Sequence, residues 1–145
     1  MNKDNTIWKL LSDLENKKGI TEIIINDPDH VYIEREGTLI RLNTNLDIKD
    51  FNSFCENVAS FNNARFDNEY PIIDGTLADG SRINIISGNY TNKTPAITIR
   101  KYLHEIKNLD DLDGKFGMTA DVITLLKSLV KSRMNIIVSG GTGVG

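Results

Sequence analysis

The sequence predicts an α/β protein: an N-terminal α+β domain with a mostly antiparallel sheet flanked by helices, then the first helix and strand of a second domain. Three observations carry this. Two segments place apolar residues at helical spacing, hairpin signals punctuate the β-branched runs, and a last apolar run leads directly into a glycine-rich loop.

In chain order, Ile7, Leu10, Leu11 and Leu14 fall at i, i+3, i+4 and i+7, one helical stripe, with caps available from Asp4 to Thr6 and a stop at Gly19. Residues 21–25 are short and β-branched and end in the turn cluster Asn26-Asp27-Pro28-Asp29. Residues 31–34 and 38–42 flank Arg35-Glu36-Gly37, a hairpin. Phe51, Phe54, Cys55 and Val58 form a second helical stripe that Asp47 or Asp50 can cap. Cys55, on that stripe, reads as a small core hydrophobe. Residues 72–77 and 81–87 flank Ala78-Asp79-Gly80, and Asp-Gly is a strong hairpin signal, although the imperfect alternation assigns no faces. Residues 95–101 alternate cleanly: Ile97 and Ile99 point one way, Thr98 and Arg100 the other.

Asp110, Asp111, Asp113, Gly114 and Gly117 then crowd a segment poor in large apolar residues, which marks a linker. The expected organisation is a domain over 1–103, a linker over 104–117 and the start of a second domain over 118–145. Thr119 caps a helix with Asp121 in its first turn and Val122, Ile123, Leu126, Leu129 and Val130 on its buried side. Met118 and Ile123 suit a hydrophobic staple. Residues 135–139 are apolar without alternation, as in a strand buried on both faces.

The bulk properties narrow the function classes. The 145 residues carry a formal net charge of −3, which argues against nucleic acid as the main partner. The single cysteine excludes a disulfide framework within the chain and fits a reducing compartment. No apolar run approaches the ~18 residues of a membrane span, so attachment to a membrane is expected to go through a partner. His30 and His104 belong to no Cys/His cluster, and the Asp run lacks EF-hand spacing, so no metal site is expected.

The terminal loop reads Gly140-Gly141-Thr142-Gly143-Val144-Gly145. Gly140 and Gly145 hold the two glycine positions of Gly-x-x-x-x-Gly-Lys-Ser/Thr, the phosphate loop, and the preceding apolar strand is the required context. Glycines let the backbone curl so that successive N–H groups face phosphate. On local pattern alone a glycine-rich flexible tail is an equal reading.

Taken together, several segments resemble the type II/IV secretion traffic ATPases, particularly the branch that builds tight-adherence (Flp) pili and its conjugation relatives. They are residues 20–26, 31–35, Pro71 to Asn84 with its Asp79-Gly80-Ser81-Arg82, Ala96 to Lys101 with its Thr98-Ile99-Arg100-Lys101, and 135–143, in matching order and spacing. The resemblance implies a two-domain subunit with a RecA-like second domain, hexameric rings, and ATP with Mg²⁺ held between the domains. By position it implies that Arg82 and Arg100 approach nucleotide phosphates, which suits a permanently charged, forked side chain. It also implies a cytoplasmic motor at the inner face of the membrane, docked on a platform protein of a secretion or pilus system. The chain is read as the front part of such a motor. It lacks the loop's Lys and Ser/Thr and the later acidic and histidine boxes, so this piece alone is expected to bind no cofactor and to hydrolyse no ATP.

Without the resemblance, surface ion pairs with Asp74 or Asp79 are the simpler account of Arg82 and Arg100. Lys101 reads as solvated and Trp8 as packing. The competing function is a non-catalytic sensor or docking module for a membrane platform protein or a small ligand, and its mark would be a closed apolar pocket in the isolated first domain.

Overall fold

A computed structural model describes residues 5–15, 17–91, 93–101 and 108–140. The chain divides into two compact units, Met1–Tyr102 and Leu103–Gly145.

The first unit runs α1 (Thr6–Glu15), β1 (Ile20–Asp27), β2 (His30–Arg35), β3 (Thr38–Leu42), α2 (Lys49–Phe61), β4 (Ile72–Thr76), β5 (Arg82–Ile86) and β6 (Ala96–Arg100). The six strands form one sheet of order β3-β2-β1-β6-β5-β4, antiparallel at every junction. The hairpin signals hold. Glu36 and Gly37 turn β2 into β3 with φ of 52° and 74°, the positive pair that a two-residue primed turn requires. The pairing of β1 with β6 closes the two halves of the sheet.

Alternation decides the faces. Ile23, Ile25, Val31, Ile33, Ile73, Ile83, Ile85, Ile97 and Ile99 are buried on one side, in a single cluster with Ile7, Leu14, Phe51, Phe54 and Val58 of the helices. Both helices therefore cover the same face, and the opposite face is free of them. Each buried Ile or Phe contributes about 1.5–3 kcal/mol by leaving water. Cys55 packs in this core at 1% exposure, and burial, with Glu56 adding to it, pushes its thiol up to about 12, so it stays protonated and unreactive.

The helix starts are tied together. The Asn5 side chain caps α1 by accepting from the Ile7 and Trp8 amides, and its own amide donates to the Asp50 carbonyl and Ser53 hydroxyl. Asp47 and Asp50 were the alternative caps for α2, and Asp50 does not cap its own helix. Its carboxylate instead accepts from the Thr6 amide and hydroxyl, each at 2.7 Å, while Asp47 accepts from the Lys49 amide. At the other end of α2, the Asn62 side chain bonds both the amide and the carbonyl of Thr76. It thus occupies the free edge of β4, as a neighbouring strand would. Gly75 makes room for it, since a Cβ there would meet the Asn62 side chain at 2.5 Å.

In the second unit a 3-10 turn, Leu109–Leu112, precedes α3 (Ala120–Lys131), and Lys127 bonds Asp110. The Thr119 hydroxyl caps α3 as expected, accepting from the Val122 amide. Of the predicted stripe only Ile123 is buried; Val122 and Val130 are exposed and Leu126 and Leu129 half-buried. Residues 135–139 form no ladder with any described strand, and Ile137 and Val138 are more than nine-tenths exposed. A buried strand needs hydrogen-bonding neighbours on both sides, and the described part of this unit holds none.

Candidate phosphate-facing arginine row

Arg82 begins β5 and Arg100 ends β6. The antiparallel register makes them direct Cα partners, one row before the buried pair Ile83 and Ile99. They therefore share the helix-free face. The row across the sheet reads Thr76, Arg82, Arg100, Glu22, Glu34. Two like charges directly opposite on adjacent strands repel, with side chains rooted about 5 Å apart. A phosphate, which takes two forked guanidinium contacts, relieves that repulsion.

The two arginines differ in their surroundings. Arg82 Nη2 lies 3.7 Å from Asp74 Oδ1, with both side chains mostly exposed. The Arg100 side chain is exposed and makes no ion pair or hydrogen bond with the described residues, although Glu22 stands opposite it in register. Of the two acids weighed as partners, Asp74 pairs with Arg82 and Asp79 does not.

Asp79 serves the loop that carries Arg82. Residues 77–81 turn on Gly80, whose φ is 82°, and the Leu77 amide bonds the Ser81 carbonyl at 2.8 Å. The Asp79 carboxylate accepts from the Ser81 amide and hydroxyl and from Lys101 Nζ at 3.2 Å. Burial pushes the Asp79 carboxyl up, but the Ser81 bonds and the Lys101 ammonium outweigh it and hold the group below its ordinary range. Lys101 is thus not solvated as expected: its side chain is only 15% exposed, and its backbone amide bonds the Thr21 carbonyl. The Asp79–Lys101 clamp joins the loop before Arg82 to the residue after Arg100, fixing one arginine's strand against the other's. Its signal was present in the sequence, since Ile97, Ile99 and Lys101 share one parity and Lys101 must turn toward the helices.

Of the phosphate loop, Gly140 is described, in a segment without regular structure. Gly141, Thr142, Gly143, Val144 and Gly145 lie outside the described residues, as do Asp4, Leu103, His104 and the start of the expected linker. Among the described residues no cluster of acidic, His or Cys side chains suits a metal, and no helix is long and apolar enough to cross a membrane.

A family model described as type II/IV secretion system protein matches residues 3–145. The conjugal transfer protein TrbB of Rhizobium radiobacter is 32% identical over 132 residues, an alignment covering 87% of this chain and 39% of that protein. A probable conjugal transfer protein TrbB of Sinorhizobium fredii is 31% identical over 127 residues, again covering 87% and 39%. In structure the chain is similar to the VirB11 ATPase from the Brucella suis type IV secretion system, crystallised with sulphate, at a TM-score of 0.66 and 22% identity over 88% of this chain and 42% of that one. At that identity the likeness is one of fold. The chain spans about two-fifths of the length of these relatives.

Proposed function

The chain belongs to the type II/IV secretion system protein family, and from that premise we propose that it is the N-terminal portion of a hexameric ATPase that powers protein secretion, conjugation or type IV/Flp pilus assembly. In this reading ATP and Mg²⁺ bind between the first unit and a RecA-like domain. Residues Gly140, Gly141, Thr142, Gly143, Val144 and Gly145 supply the glycine half of the phosphate cradle, and Arg82 and Arg100 reach the phosphates from the helix-free face of the sheet. The motor works in the cytoplasm against an inner-membrane platform protein. The observation that carries the reading is the register of Arg82 and Arg100 as direct partners on an open sheet face, a placement that costs stability and gains a site for a polyanion.

The reading is tested by ATP turnover of the full-length protein. Arg100→Ala should lower it about 100-fold or more at constant thermal stability, since an arginine on transferring phosphate is worth roughly 10³ to 10⁵. Turnover unchanged in Arg82→Ala and Arg100→Ala together would remove the arginine row from the mechanism.

A second reading, the small-ligand module, has one observation in its favour: a cavity of about 460 Å³ on the helix side of the same sheet. A ligand site there is compatible with a motor and does not replace it.

A further inference from the structure

The cavity is built from both layers of the first unit. Ile23 and Ile99 of the central strands line it together with Leu11 of α1, Val58 and Phe61 of α2, and Leu77 of the loop before Arg82. Phe61 is 57% exposed, so the apolar lining extends beyond the sealed core. The volume falls within the roughly 300–1,000 Å³ of small-molecule sites. The occupant that fits is a small molecule with an apolar body.

Charge selects its polar end. The charged side chains lining the cavity are Glu15, Asp79 and Lys101. Two carboxylates and one ammonium leave a formal charge of −1. Lys101 is already engaged by Asp79 at 3.2 Å, and Glu15, exposed at the end of α1, has no ion pair among the described residues. With Asp79 and Lys101 neutralising each other, Glu15 is the charge left over: it repels an entering anion and pairs with an entering cation. The geometry points to this cavity as a binding site for a small apolar amine, its hydrocarbon against Leu11, Val58, Leu77 and Phe61 and its ammonium toward Glu15. The site is independent of phosphate contact by Arg82 and Arg100, which lie on the other face of the sheet.

The protein carries its own reporter. Trp8 is the one tryptophan among these 145 residues and lines the cavity. Its ring packs on Phe54 with centroids 4.6 Å apart, and its indole N–H has no acceptor among the described residues, so packing is what holds it there. An occupant that shifts the ring changes Trp8 emission.

Three probes share one tail and differ in head group: octylamine, octanol and octanoate, each titrated into the full chain at pH 7 below the concentration at which it self-associates. The expected result is a saturable change in Trp8 emission, tightest for octylamine and weakest for octanoate, with the amine ahead of the acid about 5-fold, the scale of one partly exposed charge. Glu15→Gln should erase the amine's lead over octanol and leave octanol itself unchanged. Ser12→Phe fills the cavity from an exposed position on α1 and should abolish the saturable change while keeping the thermal midpoint. No saturable change with any probe overturns the proposal. So does octanoate binding as tightly as octylamine, or octylamine binding undiminished in Ser12→Phe.

Discussion

On the helix side of β6, Ile97 and Ile99 are at most 1% exposed and share a core with Phe51, Phe54 and Val58. On the other side, Thr98 and Arg100 of the same five residues face away, and Arg100 joins a charged row that crosses the sheet. One strand thus carries the fold on one face and the candidate chemistry on the other. The core of the helix face is closely packed, with Ile97, Ile99, Phe51, Phe54 and Val58 all but sealed from solvent. The arginine row is left unsatisfied, since like charges stand opposite each other and the Arg100 side chain has no partner among the described residues. Like charges held opposite each other in fixed register cost stability, which supports the proposed phosphate contact on this face.

Exchanging a residue on each face tests the contrast most strongly. Phe54→Ala removes a fully buried ring that also packs on Trp8. It should lower unfolding free energy by about 3–5 kcal/mol. Arg100→Ala, measured by the same denaturant titration, should stay within about 0.5 kcal/mol of wild type, or rise slightly as repulsion from Arg82 is lost. If Arg100→Ala instead destabilised as much as Phe54→Ala, the division of labour between the faces would be wrong.

A middle-sized effect is expected where the faces meet, at the Asp79–Lys101 clamp. Asp79→Asn weakens charge-assisted bonds to Lys101 and Ser81. The loss should be about 1 kcal/mol at pH 7, allowing for the partial exposure of the pair. The sign with pH follows from the lowered carboxyl. A group whose folded value lies below its unfolded one stabilises above the ordinary range, near 3.8, and loses that contribution as pH falls through it and below. Wild type and Asp79→Asn should therefore converge in stability below about pH 3.8, and a difference that stayed constant down to pH 2 would rule out the clamp as its source.

Local periodicity made much of this fold legible. The helical stripes of α1 and α2, the Arg35-Glu36-Gly37 turn, the Asp79-Gly80 turn and the faces of β6 all follow from residues a few positions apart. Long-range pairing was not legible. No local pattern states that β1 lies against β6, and without that register Arg82, Arg100 and Glu22 are three unrelated charges. Asp50 shows the same limit, because the helix it caps is remote in sequence from its own. Lys101 is a different case. Its parity with Ile97 and Ile99 is readable in the sequence, but only the remote Asp79 carboxylate explains why an ammonium stays on that side. The exposed stripe of α3 shows that amphipathic spacing marks which side of a helix can be buried, while burial itself needs a partner surface.

The smallest expected effect separates the two arginines. Arg82 is held by Asp74 at 3.7 Å and Arg100 by nothing described, so a phosphate entering the row must compete with a carboxylate for one and not for the other. An exposed pair at that distance contributes little to folding. Asp74→Asn should therefore leave the thermal midpoint unchanged while tightening binding of a non-hydrolysable ATP analogue to the full-length protein by about 2- to 3-fold, the scale of one weak exposed pair removed. The gain should vanish when Arg82→Ala is added and persist when Arg100→Ala is added. If Asp74→Asn weakened binding instead, Asp74 would be holding Arg82 in the orientation that phosphate requires, and the two arginines would act as a positioned pair rather than as one free and one competed side chain.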